Sequence, residues 1–138
     1  MVVEPQRPGL RDDWVADLAA VVRVVRRVHD DGRGDPVRTY LTGFSLGGNG
    51  VLDFAAADSD LWAAHWAVDP TRLPAGHPSR PMWVSAGPLT KWNRGYDRMR
   101  AAVGGTFRVT DEADDHVEAA ARAYGRAEVY DWLLAHRL

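Results

Sequence analysis

Seven apolar residues, Trp14, Val15, Leu18, Val21, Val22, Val25 and Val28, recur at three- and four-residue intervals between arginines and aspartates. That spacing predicts an amphipathic helix of about four to five turns. Asp12 or Asp13 suits its N-cap, and the stretch Asp30-Asp31-Gly32-Arg33-Gly34 suits its end. A second helix is predicted over 46–57, where Val51, Leu52, Phe54 and Ala55 make one apolar face. Between the two, residues 38–42 carry β-branched and aromatic side chains and read as a short strand. Residues 61–68 form a near-continuous apolar run, as a parallel strand covered on both faces requires. Residues 81–86 and 105–109 read as further strands, 95–103 as a helix, and 117–138 as helical with a break near Gly125. Residues 1–4, closed by Pro5 and Pro8, read as the end of one more strand. Strands alternating with helices predict a parallel α/β sheet of about five strands with helices on both faces.

Composition narrows the classes. A length of 138 residues suits a single domain. A formal net charge of −2 gives no electrostatic footprint for nucleic acid or an anionic membrane. No apolar run approaches the roughly 20 residues of a membrane span. The start, Met-Val-Val-Glu-Pro, lacks a basic region followed by an apolar core, so no signal peptide is expected and the cytoplasm is the default location. With no cysteine, disulfides, thiolate metal sites and cysteine catalysis drop out. Arg23, Arg26, Arg27 and Arg33 stand among acidic residues and read as a solvated face rather than a phosphate patch. Of six tryptophans, Trp14, Trp62, Trp66, Trp83 and Trp132 fall in apolar-patterned stretches and read as core, whereas Trp92 is a candidate pocket wall. Residues 43–50 lack the Gly-Lys-Ser/Thr of a P-loop and do not fit G-x-G-x-x-G, and no H-E-x-x-H spacing suggests a metal. No cofactor is implied.

The chemistry centres on Gly43-Phe44-Ser45-Leu46-Gly47, a G-x-S-x-G pattern set between the predicted strand and helix. Such an elbow reverses the chain sharply and leaves the serine at the apex. Glycines flank it because side chains at 43 and 47 are expected to collide across the turn. The Leu46 amide, opening the helix, faces the place where negative charge develops on a reacting carbonyl.

The stretch from Asp35 to Gly48, with Pro36, Arg38, Tyr40, Leu41, Thr42 and the elbow, resembles the α/β-hydrolase superfamily. The nearest branch holds the phospholipase/carboxylesterases, the feruloyl and polyhydroxybutyrate esterases and predicted peptidases. The resemblance implies a serine esterase acting on a small-molecule ester or acyl substrate through an acyl-enzyme. It also implies a nucleophile–acid–histidine order along the chain. Of the five histidines, His116 alone falls between the last strand and the last helix, where elbow folds place the base. The downstream Tyr130-Asp131-Trp132-Leu133-Leu134 resembles a recurrent feature of the family. His29 and His136 lie near helix ends, His77 in a proline-rich loop, and His65 reads as a satisfied core residue.

Two departures from the family pattern stand out. The loop after 81–86, where relatives carry the acid, reads Gly-Pro-Leu-Thr-Lys-Trp-Asn. Asp69 at the end of the preceding strand, Asn93 and Asp97 are the alternatives, with Asp69 preferred; an Asp before Pro also commonly caps a turn. The second departure is that one strand and one helix precede Ser45, so the family's first strands and the loop giving the second oxyanion donor are expected to be missing. The chain looks like the C-terminal two-thirds of a hydrolase, and its nucleophile strand is expected at a sheet edge, open to residues 1–4 or to a second copy of the chain. A non-catalytic hydrolase-fold remnant acting as an interaction or structural domain is therefore the alternative function.

Overall fold

A computed structural model describes residues 1–6, 9, 13–57, 60–76 and 78–138. Four five-residue strands, β1 (Tyr40–Phe44), β2 (Ala64–Val68), β3 (Met82–Ala86) and β4 (Phe107–Asp111), form one parallel sheet in the order β1-β2-β3-β4. β2 and β3 are buried along their whole length, whereas β1 and β4 are partly open edges. This explains the apolar runs in the two central strands, which have no solvent face. Residues 1–4 do not pair with the sheet, so the fifth strand expected there is not formed.

Side-chain alternation sends successive residues of the strands to opposite layers. Ala67, Met82, Val84, Ala86 and Phe107 pack against Val51 and Leu52 of α2 (Leu46–Ala57) and Tyr96 and Met99 of α4 (Tyr96–Ala101). Ala64, Trp66, Val68 and Trp83 pack against Ala123 of α5 (His116–Tyr124) and Val129, Trp132 and Leu133 of α6 (Ala127–Leu134). Helices therefore cover both faces. α1 (Leu18–Asp30) buries Val21 and Val25 against Phe54, Leu61 and Trp62, and leaves Arg23, Arg26 and Arg27 exposed.

Three local expectations need correction. The first helix begins with a 3-10 turn, Val15–Asp17, whose N-cap residue is Trp14 and carries no side-chain cap; Asp12 lies outside the described residues. The loop after β3 contains a one-turn helix, α3 (Pro88–Lys91). Trp92, expected as a pocket wall, is 78% exposed, whereas Trp62, Trp66, Trp83 and Trp132 are buried. No helix among the described residues is long and apolar enough to cross a membrane.

Candidate active site

β1 runs into α2 through a single residue. Ser45 occupies the left-handed region at φ 58°, which costs a side-chain-bearing residue energy and persists only where the surroundings enforce it. Its amide donates to the Val68 carbonyl at 2.9 Å, and its carbonyl accepts from the Asn49 amide at 3.1 Å. A Cβ at Gly43 would run into the Gly47 carbonyl, and one at Gly48 would lie 3.0 Å from the Val68 carbonyl oxygen. The expected collision at Gly47 is absent: a Cβ there meets nothing within 4 Å among the described residues. The crowding that shapes the turn comes from Gly43 and Gly48.

His116 is the first residue of α5. Asp115 caps that helix, its carboxylate accepting from the Val117 and Glu118 amides at 3.0 and 2.9 Å. The capped turn and the Phe44 ring, 4.4 Å away centroid to centroid, fix the imidazole in place. His116 Nε2 lies 3.0 Å from Ser45 Oγ, and Nδ1 lies 2.6 Å from Asp69 Oδ2. A carboxylate can only accept, so the proton sits on Nδ1 and Nε2 is left to accept from the Ser45 hydroxyl.

Asp69 follows β2 with φ 38° and is fully buried. Its Oδ1 accepts from the Thr90 amide at 2.8 Å and the Thr90 hydroxyl at 3.0 Å. The same hydroxyl lies 3.0 Å from the Pro70 carbonyl. α3 therefore delivers Thr90 to the Asp69 carboxylate. Gly87, just before α3, makes room for it: a Cβ there would lie 2.5 Å from Asp69 Oδ2 and 2.7 Å from Ala119 Cβ. Sequence reading missed both Thr90 and Gly87. A Gly-Pro pair after a strand signals only a stop, and a four-residue helix is too short to show a period.

The other candidates sit elsewhere. Asn93 spends its side-chain amide on the carbonyls of Leu89, Thr90 and Thr71. Asp97 is exposed in the first turn of α4. His29 Nε2 pairs with Thr39 Oγ1 at 2.9 Å, and His136 Nδ1 donates to the Trp132 carbonyl at 2.7 Å. His77 lies outside the described residues. His65 is fully buried, and neither ring nitrogen finds a well-aligned hydrogen-bond partner among the described residues, which corrects the expectation of a satisfied core histidine. Burial, with Arg80 nearby, lowers its pKa to about 4.

The Leu46 amide opens α2 and is one of the first-turn N–H groups that a helix leaves without an internal acceptor. Past Gly43 and Gly47 runs an open groove of about 670 Å³, walled by Val51, Phe54, Trp14 and Tyr124. Among the described residues, no group of three or more His, Asp or Glu side chains is placed to hold a metal ion.

No family model matches the chain, and no curated protein matches it in sequence. Solved structures do match. A thermostable esterase superimposes with a TM-score of 0.70 at 23% identity, over 89% of this chain and 37% of the esterase. FphF, a fluorophosphonate-binding serine hydrolase of Staphylococcus aureus solved with substrate bound, superimposes with a TM-score of 0.62 at 14% identity, over 84% of this chain and 62% of its own. The chain thus spans less than two thirds of either neighbour, and the fold it shares with them is that of the α/β hydrolases.

Proposed function

We propose that the chain is a serine hydrolase of the carboxylesterase-like branch, cleaving carboxylic esters of small molecules through Ser45, His116 and Asp69. The observation that carries this reading is the unbroken relay from Ser45 Oγ through the His116 ring to the buried Asp69 carboxylate. In the proposed cycle the ester carbonyl carbon meets Ser45 Oγ, whose proton passes to His116 Nε2. Asp69 steadies the imidazolium and holds its tautomer. The carbonyl oxygen takes up the negative charge facing the Leu46 amide. Collapse expels the alkoxide, which takes the proton from His116 and leaves an acyl-serine. Water, deprotonated by His116, then releases the acid and restores Ser45. The apolar groove beside the elbow suits the acyl or alcohol portion of such a substrate.

A second reading, a hydrolase-fold domain without catalysis, draws on the open outer side of β1, where no described residue pairs with the nucleophile strand. Association of two copies along that edge belongs to the first reading as well, and native mass spectrometry reads it directly.

Intact-mass labelling with a fluorophosphonate tests the choice. The expected result is a single adduct on the wild type and none on Ser45→Ala or His116→Ala. A folded wild type that takes up no adduct overturns the hydrolase reading.

A further inference from the structure

Trp14 lies along one face of α2. Its indole Nε1 donates to the Leu46 carbonyl at 2.9 Å, and its backbone amide donates to Asp53 Oδ2 at 2.8 Å. Between these two anchors its ring covers Gly50, where a Cβ would lie 2.8 Å from Cδ1 and 2.9 Å from Nε1. Leu46, Gly50 and Asp53 are spaced i, i+4, i+7 and so share a face of the helix. Asp53 is itself held, both carboxylate oxygens lying 3.0 Å from an Arg72 guanidinium nitrogen. The residue that opens α2 and the residue two turns on are thus tied to one residue outside the helix, the first through its indole and the second through its backbone amide.

We infer that Trp14 is a positioning residue for the oxyanion donor of this site, an inference that rests on the hydrolase reading above. The physical case starts at the elbow. Ser45 is held in a left-handed conformation at the end of an edge strand, and no described strand supports its outer side. A strained turn keeps its shape only if its neighbours over-determine it. Leu46 carries both the amide that faces the developing charge and the carbonyl that Trp14 grips. Fixing the carbonyl restrains rotation about the Leu46 backbone bonds and so fixes the direction of its N–H. Donors of this kind act through alignment set before the reaction, so loosening one costs rate rather than substrate binding. Gly50 is part of the device, because only a residue without a side chain lets the indole reach Leu46.

Two variants disturb this contact by different routes. Trp14→Phe keeps a ring and removes the N–H donor. Gly50→Ala keeps the donor, pushes the ring away, and replaces glycine by a better helix former. Each is compared with the wild type by kcat and KM on a p-nitrophenyl ester, by thermal melting, and by amide hydrogen exchange at Leu46 and Gly47. The expected result in both variants is a kcat lowered about tenfold, a fraction of the 10²–10³ lost when a donor is removed outright. KM stays unchanged, the folded fraction is retained, and exchange at Leu46 and Gly47 is faster by a similar factor. Unchanged kcat and exchange in both variants overturn the inference, as does a loss of rate that follows the loss of folded protein. If the wild type takes up no fluorophosphonate, the hydrolase reading fails by itself. The exchange rates then decide whether Trp14 fixes the Leu46 amide.

Discussion

Gly87→Ala is the sharpest perturbation of Asp69, the proposed acid. Gly87 has φ −95° and ψ −162°, an extended conformation open to any residue, so the substitution introduces no backbone strain. Its whole effect is the methyl group. That carbon would arrive 2.5 Å from Asp69 Oδ2 with Ala119 Cβ 2.7 Å away on another side, so one of them has to retreat by about half an ångström or more. Neither has room. Ala119 is fully buried, and Asp69 is fully buried and tied to Thr90 and His116. Overpacking of this kind costs about 1–3 kcal/mol. In a chain of this length that lowers the melting temperature by roughly 3–10 °C. The carboxylate is the softer of the two neighbours, because moving it lengthens hydrogen bonds instead of shifting a helix backbone. A displacement approaching 1 Å between catalytic groups costs about a hundredfold in rate. Melting followed by circular dichroism, alongside the second-order rate of fluorophosphonate labelling, reads both effects on the same sample. A Gly87→Ala protein that melts and labels like the wild type refutes the claim that this glycine makes room for the acid.

Three more outcomes follow from the same contacts. Asp69→Asn keeps the bonds from Thr90 but presents His116 with an amide instead of a carboxylate, so the labelling rate drops by on the order of 10⁴; labelling within tenfold of the wild type rules Asp69 out as the acid. Asn49, fully buried, donates to Thr71 Oγ1 at 2.7 Å and accepts from the Thr71 amide at 3.0 Å. Asn49→Ala leaves that amide unpaired, at about 1–3 kcal/mol, visible as a lower urea midpoint at an unchanged slope. His65 has a folded pKa of about 4 against an ordinary value of 6.5, so the unfolded chain binds the proton more readily between those pH values. Stability is therefore full above about pH 6.5 and falls by up to roughly 3 kcal/mol as pH drops toward 4. In His65→Leu the urea midpoint loses this part of its pH dependence over that window, and a slope identical to the wild type's counts against the assignment.

How much of this was legible in the sequence varied with the length of the signal. α2 could be read at both ends because the elbow fixes its start and a four-residue apolar face marks its course. β2 could be read as a covered strand because it has no polar side to interrupt the apolar run, whereas β3 could be read only as a strand, although it too is buried along its whole length. The first four residues carry a similar apolar pattern but lie outside the sheet, since three apolar residues in a row do not by themselves select a neighbour. His65 shows a related limit. An apolar run shows that the residue is buried, but whether its ring nitrogens find partners depends on what lies across the sheet. Asp69 could be marked as a carboxylate at a strand end, but the groups that hold it could not. Thr90 and Gly87 reach it from another strand's loop, twenty-one and eighteen positions along the chain, and nothing in their own neighbourhood signals the contact.

The supports share a feature that bears on how an elbow on an edge strand can hold its shape. Asn49 and Asp53, one turn apart on α2, hold Thr71 and Arg72, which directly follow Asp69 and Pro70. α2 therefore grips the loop that carries Asp69 as well as the turn that carries Ser45. Trp14 grips α2 in turn, through Leu46 at its start and Asp53 two turns on. Ser45 and Asp69 are the two non-glycine residues among those described with positive φ, and both sit at the ends of this one helix's contacts. Two strained residues on adjacent strand ends need a common rigid support, or each would relax independently and part from His116. The buried Asn49 and the partly buried Asp53, whose side chains both hold the loop after Asp69, make α2 that support, and the outer side of β1 can stay open without the elbow giving way.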